Sequence, residues 1–517
     1  MTNLAHVLVS AADRYGEHSA VQLDHCRLSY RELLTEAGRY ANLLSAHGVQ
    51  PGDRVALALP NTLDFPAAFY GALLSGACIV PMNPLLKEQE ARFYLQDSGA
   101  RLAVADEAAD GTRAAAGALG VDVLVPGAGD LAFRSRAATP AERADDDTAV
   151  ILYTSGTTGR PKGAELTHAN LASNAASFAA TVAQACAEDV FIGCLPLFHV
   201  FGLTCGLLTC AQSGACLTLV PRFDSATVLR VMERDRVSVF AGVPTMYVAL
   251  LQERRRTDID LSSLRLCLSG GAAMPVELMR SFEREFACAV LEGYGQSESS
   301  GVTAFNHPGR PRKPGTIGTP IEGMHMCLLD DHGNEVPPGA VGEIAIRGEG
   351  VMKGYWRQPE ATAKAMPDGW LRTGDLATHD ADGYYSIVDR KKSVIIRGGY
   401  NVYPREIEEV LYHHPAVLEA VVVGIPDPRL GEEIGAAVVV RPGAEVDTET
   451  LRQWVKERVA PYKYPRHVWF VDRLPKGASG KLLRRQVKAP TFPTAGPTVP
   501  DLSSLDAPNG PGPVVSL

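Results

Sequence analysis

The sequence predicts an α/β protein: a large N-terminal domain with mixed or parallel sheets layered with helices, and a small, mobile α+β domain at the C-terminal end. Short apolar runs such as VALALP, ACIVPM, TAVILY and LRLCLSG alternate with helical stretches such as LDFPAAFYGALLSG and TVLRVMERDR. The chain has 517 residues, of which 46% are apolar, which is too long for one hydrophobic core. We therefore expect two or more domains.

The domain boundaries follow from changes in pattern along the chain. After GYYSIVD a charged run begins, and the pattern restarts with a strand, the helix PREIEEVLYHH, the strands EAVVVGI and GAAVVV, and the helix TETLRQWVKERV. We place a large domain at 1–388, a small lid domain at 389–488, and a tail at 489–517. The tail is rich in Pro and Gly, which predicts disorder.

Composition favours a reduced, cytoplasmic enzyme. No uninterrupted apolar run reaches the roughly 18 residues of a membrane span. The N-terminal stretch MTNLAHVLVSAADRYGEH lacks the basic segment of a signal peptide and fits an amphipathic helix. The ten cysteines include no C-x-x-C pair, and Cys78, Cys194, Cys216 and Cys267 lie in apolar runs, which predicts reduced core residues.

Charge is distributed unevenly along the chain. The net charge is −9, yet residues 386–488 hold 18 Lys and Arg against 13 Asp and Glu. This basic segment has two equally good explanations. It is a solvated surface without a binding role, or it meets a negatively charged partner: a polyanionic nucleotide, a phosphorylated thiol or an acidic carrier protein.

The segment YTSGTTGRPKG at 153–163 has the composition of a phosphate-binding loop. It follows an apolar strand and contains a set of hydroxyls, glycines and a lysine: Thr154, Ser155, Gly156, Thr157, Thr158, Gly159 and Lys162. Glycines let backbone N–H groups approach an anion, hydroxyls add donors, and the lysine supplies charge. It is not a Walker loop, because Pro161 precedes the lysine and Gly163 follows it. The alternative is a flexible surface loop before a helix near His168.

This loop resembles the signature of the adenylate-forming superfamily, which includes acyl-CoA synthetases, the adenylation domains of peptide synthetases, and firefly-type luciferases. Further motifs carry the same resemblance in order along most of the chain: PLFH at 196–199, SGGAAM at 269–274, GYGQSES at 293–299, TGD at 373–375, DRKKSVIIRGGYNVYPREIE at 389–408, and PKGASGK at 475–481. The resemblance implies ATP, Mg²⁺, and the thiol of CoA or of a phosphopantetheine as cofactors.

The resemblance also implies roles for single residues around ATP. Glu298 matches the magnesium-binding glutamate, Ser297 the residue at the α-phosphate, and Tyr294, followed by Gly295, the aromatic ring on adenine. Gly271 and Ala272 match the lining of the adenine pocket, although a strand-to-helix turn also favours GGA. Asp375 and Arg390 match the ribose contacts, and a carboxylate accepts well from vicinal hydroxyls.

In the C-terminal part, the resemblance implies that Lys481 bridges the attacking carboxylate and the α-phosphate when the small domain closes. An exposed surface lysine is the alternative. The hinge is expected at Asp389, and Gly398 and Gly399 are expected to leave room for a pantetheine arm. Ser393 departs from the acidic residue of typical members, which puts only a local contact in doubt.

The substrate is predicted to be a plain carboxylic acid. The resemblance implies that amino-acid-activating members carry an aspartate near the position of His199, which pairs with the substrate ammonium. The segment LPLFHVFGLTCGLL has no acidic residue, so a charged amine would be left unpaired there. His199 resembles the residue beside the reacting carboxylate, with a core histidine as the alternative. Apolar pocket walls are expected from Val243, Thr245, Met246 and Tyr247, which favours a fatty or other aliphatic acid.

Three functions compete. The first is ATP-dependent activation of an aliphatic acid to acyl-AMP, with pyrophosphate release and transfer to CoA. The second hands the acyl group to the phosphopantetheine of an acyl carrier protein. The third is a non-catalytic acyl or nucleotide binder, which retention of Lys162, Glu298, Asp375, Arg390 and Lys481 argues against. No nucleic-acid partner is expected, and a homodimer is possible.

Overall fold

The computed structural model describes residues 3–127, 139–154, 160–255, 257–477, 480 and 482–490. Within these ranges the chain forms four sheets, and the first three belong to the large N-terminal part. The predicted α/β class, with mixed sheets and a smaller C-terminal domain, is confirmed. The tail at 491–517 lies outside the described residues.

Strands and helices are numbered in chain order. The first sheet has the strand order β18 (Gly354–Tyr355), β8 (Lys162–Thr167), β7 (Thr148–Thr154), β4 (Cys78–Pro81), β3 (Arg54–Ala58), β5 (Ala100–Ala105), β6 (Asp122–Leu124). The second sheet has the order β15 (Thr319–Pro320), β14 (Ala304–Phe305), β13 (Val290–Tyr294), β12 (Leu266–Ser269), β11 (Val239–Gly242), β9 (Val190–Gly193), β10 (Cys216–Leu219), β1 (Ser19–Leu23), β2 (Cys26–Ser29). The third sheet has the order β16 (Met324–Leu329), β17 (Gly342–Gly348), β19 (Leu371–His379), β20 (Tyr385–Arg390).

The small-domain sheet has the order β22 (Tyr400–Val402), β21 (Ile395–Arg397), β24 (Gly431–Val440), β23 (Val417–Asp427), and β25 (His467–Phe470) pairs with β24. The helices are α1 (His6–Tyr15), α2 (Tyr30–Ala46), α3 (Asp64–Leu74), α4 (Glu88–Ser98), α5 (Asp110–Leu119), α6 (His168–Ser177), α7 (Val200–Gly202), α8 (Thr209–Ser213), α9 (Ser225–Arg234), α10 (Pro244–Arg254), α11 (Val276–Phe286), α12 (Pro359–Ala365), α13 (Pro404–Tyr412) and α14 (Thr448–Lys456).

Burial explains why the central strands of the first two sheets read as continuous apolar runs. Strands β9 to β13 pair in parallel with one another, and so do β3, β4, β5 and β7. Helices cover both faces of such sheets, so successive side chains are apolar instead of alternating with polar ones. The strand CLTL of β10 and the strand VFAG of β11 are buried at every position.

The N-terminal helix is the amphipathic one expected, and it docks on the large domain. Its buried face contains Val7, Leu8 and Ala11. The backbone N–H of Leu4, just before the helix, donates to Nδ1 of His168 at 3.0 Å. His168 begins α6, as predicted, and its imidazole is 1% exposed.

The small-domain sheet is covered by α13 and α14. Proline at the first position starts α13, where its missing N–H costs no hydrogen bond. The two helices meet where the Trp454 indole N–H donates to the Val410 carbonyl at 2.9 Å. The predicted strand, helix, strand pair and helix all appear in that order.

All ten cysteines are free thiols, and Cys78, Cys194, Cys216 and Cys267 are buried as predicted. In the described ranges, every helix falls short of the length or apolar character needed to cross a bilayer.

Candidate active site

The predicted motifs converge where parallel strands of the second sheet end. The strands β11, β12 and β13 lie side by side, and each runs directly into a motif at its carboxyl end. The Val243 segment follows β11, the SGGAAM loop follows β12, and GYGQSES continues from β13. Carboxyl ends of neighbouring parallel strands are where α/β proteins bind ligands, because the loops there converge on one crevice.

The two described ends of the phosphate loop lie near the predicted metal carboxylate. Thr154 ends β7 and pairs with Lys162 at the start of β8. The Thr154 hydroxyl donates to Glu298 Oε1 at 3.4 Å, and the Tyr355 hydroxyl donates to the same oxygen at 3.0 Å. The Lys162 ammonium lies 4.9 Å from the centre of the Tyr355 ring. The structure therefore brings together one cation, one carboxylate and the ends of the loop.

The donor set fits a magnesium ion shared with phosphate oxygens. Among the described residues no group of three or more His, Cys, Asp or Glu side chains forms a metal cage. Mg²⁺ is commonly held by one or two protein carboxylates together with substrate phosphates. Glu298 beside the phosphate loop satisfies that requirement.

A second cluster surrounds Asp375, which is 4% exposed. Its Oδ2 accepts from the Tyr294 hydroxyl at 2.6 Å and from Gln296 Nε2 at 2.7 Å. Its Oδ1 lies 2.8 Å from Arg390 Nε. Asp375 and Arg390 are partners in the antiparallel pair β19 and β20, so the backbone places both side chains. The cluster is a carboxylate oriented by three donors, which suits the binding of hydroxyl groups.

Electrostatics within this cluster follow burial and charge. Burial, and then the Asp375 carboxylate, raise the pKa of Tyr294 well above its ordinary value. The Asp375 carboxylate likewise raises the pKa of Arg390, against the opposing effect of burial. Tyr294 is therefore a neutral hydroxyl donor and Arg390 a permanent cation.

Two glycines of the site are required by the backbone, Gly295 because of a close approach and Gly271 because of its positive φ. A Cβ on Gly295 would lie 2.1 Å from the Gly301 carbonyl oxygen, so no larger residue fits there. Gly271 has φ of +74°, which disfavours other residues, and its missing Cβ would lie 3.4 Å from Val243. Ala272 follows in the same loop, and Ser297 begins the short 3₁₀ turn that carries Glu298.

Hydrogen bonds fix the position of His199 and of the segment that precedes it. Its Nδ1 accepts from the Phe201 backbone N–H at 3.3 Å and caps the short helix α7. The buried Asn61 amide donates to the carbonyls of Gly193 and Leu195, both at 2.8 Å, and its oxygen accepts from the Leu197 N–H at 3.0 Å. Asn61 thus holds the segment that leads to His199.

The predicted pocket wall begins at β11 and continues into α10. Val243 and Met246 are buried, whereas Thr245 is partly exposed. Tyr247 is fully buried and packs between Phe240 and Phe282, with ring centres 5.1 and 4.7 Å away. Tyr247 is therefore anchored in the core behind the wall.

The PKGASGK loop of the small domain reaches this wall. The Thr245 hydroxyl donates to the Gly480 carbonyl at 2.8 Å. A Cβ on Gly480 would lie 3.0 Å from Val243 Cγ2. Lys481 itself lies outside the described residues, as do Ser155, Gly156, Thr157, Thr158 and Gly159. The structure nevertheless places the neighbour of Lys481 against the predicted substrate wall.

The expected hinge residue and the two glycines of the small domain have local structural roles. Asp389 Oδ1 accepts from the Arg390 N–H at 2.7 Å and Oδ2 from the Arg405 N–H at 3.1 Å, so its carboxylate ties β20 to α13. Gly398 and Gly399 form the tight turn between β21 and β22, with φ of +56° and +85°. Such two-residue hairpin turns need positive φ, which explains both glycines locally.

Several residues at the site were missed by sequence reasoning. Gln296 lies inside the quoted GYGQSES motif, but nothing local indicates that its amide turns toward Asp375. Tyr355 and Asn61 belong to segments far from the motifs they support. For Asn61, the only signal was a polar residue three positions after the end of the buried strand β3.

Family models match both parts of the chain. The model described as AMP-binding enzyme matches residues 8–356, and the model described as AMP-binding enzyme C-terminal domain matches residues 406–481. A long-chain-fatty-acid–CoA ligase of Bacillus subtilis is 37% identical, with 94% of each chain covered. A feruloyl-CoA synthase of an Amycolatopsis species is 41% identical, over 91% of this chain and 95% of the relative.

A solved structure of ATP-bound MatB from Rhodopseudomonas palustris is 35% identical and has a TM-score of 0.88, covering 94% of this chain and 98% of the other. The apo structure of the same relative, with the same coverage, has a TM-score of 0.78. The overall arrangement of this chain is thus more similar to the ATP-bound form than to the apo form.

Proposed function

Because the chain belongs to the family of AMP-binding enzymes, the adenylate-forming superfamily to which its motifs pointed, we propose that it is an AMP-forming acyl-CoA ligase that acts on a plain carboxylic acid. In the first half-reaction a carboxylate oxygen attacks the α-phosphorus of ATP, the bond to the β-phosphate breaks, and pyrophosphate leaves. In the second, the CoA thiolate attacks the acyl carbon and AMP leaves. ATP, Mg²⁺ and CoA are the reactants at the level of the family.

The observation that carries the proposal is that the GYGQSES segment contributes to both clusters, with Tyr294 in one and Glu298 in the other. Lys162 and Glu298 meet through Tyr355, and Asp375 meets Tyr294 and Arg390. The first cluster offers a cation and a metal ligand for phosphates, and the second offers a hydroxyl acceptor for ribose. Preorganised charge of this kind stabilises the charge that develops during phosphoryl chemistry.

We assign the remaining roles as proposals. Ser155, Gly156, Thr157, Thr158 and Gly159 would cradle the phosphates with Thr154, Ser297 would contact the α-phosphate, and Gly271, Ala272, Tyr294 and Gly295 would enclose adenine. Lys481 would act in the first half-reaction, with Asp389 as the hinge between domains 1–388 and 389–488. Gly398 and Gly399 would pass the pantetheine arm in the second.

The substrate is proposed to be an apolar acid. Val243 and Met246 bring apolar surface to the wall that Gly480 closes, and no acidic residue lies in the segment around His199. A charged ammonium would be buried there without a partner. The relatives named above act on long-chain fatty acids and on ferulate, so an aliphatic chain is our first choice and an aromatic acid the second.

The test is pyrophosphate release with ATP, Mg²⁺ and a panel of C2 to C16 aliphatic acids and aromatic acids. It is run with CoA, without a thiol, and with a phosphopantetheinylated carrier protein. Turnover that depends on CoA supports the ligase and gives its chain-length preference. Turnover only with the carrier protein supports the carrier ligase, with which the basic segment at 386–488 is also compatible; no release with any acid leaves a binder.

The role of Lys481 has its own test. Lys481→Ala is expected to slow adenylation by about 10² to 10³, the usual loss for one preorganised donor. Thioester formation from preformed acyl-adenylate is expected to continue. Lys488→Ala, an exposed lysine seven residues later, is the matched control. An equal fall in both half-reactions would contradict the assignment.

A further inference from the structure

A buried carboxyl group lies behind the nucleotide cluster, where the large domain meets the small one. Glu292 precedes the GYG turn on β13 and is 1% exposed. Its Oε1 accepts from the Met274 N–H at 2.9 Å, which fixes the end of the SGGAAM loop. Its Oε2 has no hydrogen-bond partner. A buried carboxyl with an unpaired oxygen is costly, so its electrostatic surroundings decide its charge.

The charged groups that act on Glu292 come from α13 of the small domain. Burial is the main reason why the pKa of Glu292 is raised to about 7, the Arg405 guanidinium and the Met274 N–H oppose this rise, and the Glu409 carboxylate adds to it. Arg405 has a side chain only 12% exposed. Its Nη1 donates to the Ile387 carbonyl at 2.6 Å and its Nε lies 4.0 Å from Glu409 Oε1. The buried Arg405 cation therefore acts on one carboxylate of each domain, Glu292 in the large domain and Glu409 in the small one.

Glu409 makes the second contact between the domains. Its side chain is 26% exposed, and the backbone N–H of Val276 in the large domain acts on its carboxylate. Burial raises its pKa, while Arg405 and then the backbone N–H of Val276, the first residue of α11, lower it. A carboxylate beside the first N–H groups of a helix satisfies donors that have no partner within the helix.

These contacts occur in the pose in which the small-domain loop touches the substrate wall, since Gly480 is bound to Thr245 in the same structure. We propose that Arg405 and Glu409 are positioning residues for the adenylation half-reaction, and that they hold α13 against Glu292 and α11 in this pose. The inference rests on the proposed two-step function. Neither residue needs to touch ATP or the acid.

The contact of α13 with the large domain is also coupled to the protonation of Glu292. Rotation of the small domain away from α11 removes Arg405, the one cation among the described residues that lowers the pKa of Glu292. A buried carboxylate without a cation takes up a proton rather than remain charged. Opening of this interface is therefore accompanied by protonation of Glu292, and lower pH favours the open pose.

The experiment measures the two half-reactions separately in the full-length enzyme. ATP–pyrophosphate exchange reports adenylation, and CoA thioester formation from synthetic acyl-adenylate reports the second step. Arg405→Ala and Glu409→Gln are expected to slow exchange by about 10-fold or more and to leave thioester formation within about twofold. Arg405→Lys, which keeps the charge, is expected to restore part of the exchange rate.

Arg452→Ala is the matched control, because Arg452 forms an exposed pair with Glu449 on α14 of the same domain. If Arg405→Ala slows adenylation and thioester formation equally, Arg405 has only a structural role. If it slows neither step, the proposal is wrong. If the wild-type enzyme catalyses neither step, the result contradicts the proposed function and not the proposed role of the interface.

A pH series gives an independent readout. In the wild type, the ratio of adenylation to thioester formation is expected to rise as pH increases through the region near 7, because ionised Glu292 attracts Arg405. In Glu292→Gln, which keeps the acceptor for Met274 but cannot ionise, this ratio is expected to vary less with pH. Identical profiles in the two proteins would overturn the proton coupling.

Discussion

The Thr245 hydroxyl and the Gly480 carbonyl are joined by a hydrogen bond of 2.8 Å across 235 positions of the chain. It ties the PKGASGK loop of the small domain to the start of α10, which carries the predicted substrate wall. The same loop is anchored on its own domain by Lys476, which pairs with Glu419 at 2.7 Å, and by Arg484, which pairs with Glu408 at 2.9 Å. Gly480 is thus bonded to the large domain, and ion pairs within the small domain lie four residues before it and four residues after it.

Gly480→Ala should interfere with this contact. The residue has φ of +79°, and a Cβ there would lie 3.0 Å from Val243 and 3.1 Å from the Thr245 hydroxyl. We expect ATP–pyrophosphate exchange to fall by about 10-fold, because strain of roughly 1–2 kcal/mol adds to crowding at the wall.

Gly443→Ala is the control for backbone strain alone. Gly443 lies in the same domain with φ of +78°, and a Cβ there meets nothing within 4 Å. A comparable loss of exchange in both variants would show that strain in the small domain, and not contact with the wall, is responsible.

Tyr294→Phe should weaken nucleotide binding. The substitution removes the 2.6 Å hydrogen bond to Asp375 and leaves those from Gln296 and Arg390. A hydrogen bond to a charged group contributes roughly 1.5–3 kcal/mol, so AMP affinity measured by calorimetry should fall by about 10-fold or more. Tyr385→Phe loses a bond to the Met326 carbonyl away from the cluster and should bind AMP normally.

Tyr355→Phe should change the response to magnesium. Burial, and then Glu298, raise the pKa of the Tyr355 hydroxyl, which keeps it a donor to that carboxylate. Without this donor Glu298 loses one of the contacts that orient it. We expect the Mg²⁺ concentration needed for half-maximal ATP binding to rise severalfold in a calorimetric titration.

The control for Tyr355→Phe is Tyr384→Phe, whose hydroxyl donates to the Pro311 carbonyl at 2.6 Å. An unchanged magnesium requirement in Tyr355→Phe, with normal folding, would show that Glu298 is oriented without the tyrosine.

His168 should make the enzyme sensitive to acid. Burial, and then Arg143, lower the pKa of His168 from its ordinary 6.5 to about 4, while Asp147 and Asp145 oppose them. The folded protein therefore keeps a neutral imidazole that accepts from Leu4. The unfolded chain binds a proton below about 6.5, so this contribution to stability is present above that pH and is lost as pH falls toward 4.

The lost contribution amounts to roughly 3 kcal/mol, since each pKa unit corresponds to about 1.4 kcal/mol. We expect the unfolding temperature of the first thermal transition to fall less steeply between pH 7 and pH 4.5 in His168→Asn, which retains an acceptor but does not titrate. His332→Asn at an exposed position is the control. Parallel slopes in all proteins would contradict the assignment.

Much of the site was predictable because its chemistry lies in short segments. Thr154 and Lys162 lie eight residues apart, so their approach needs only the hairpin of β7 and β8. Asp375 and Arg390 likewise approach each other through the antiparallel pair of β19 and β20. The roles of Ser155 to Gly159 and of Lys481 remain predictions, because those residues lie outside the described part of the chain.

Other contacts were not predictable from local pattern. Gln296, Tyr355 and Asn61 have side chains whose partners are chosen by packing between distant segments. Gly398 and Gly399 illustrate the converse: a functional expectation was attached to residues that the β21–β22 turn already requires for its own geometry.

The sequence by itself determined the α/β class, the order of the elements and the family, because hydrophobic periodicity and glycine-rich motifs are properties of neighbouring residues. Only the tertiary structure decided that Gly480 meets Thr245 and that Arg405 meets the Ile387 carbonyl. Such meetings depend on how two domains close on each other. That closure is set by the sum of many weak contacts and by the cost of burying charge, which no single segment encodes.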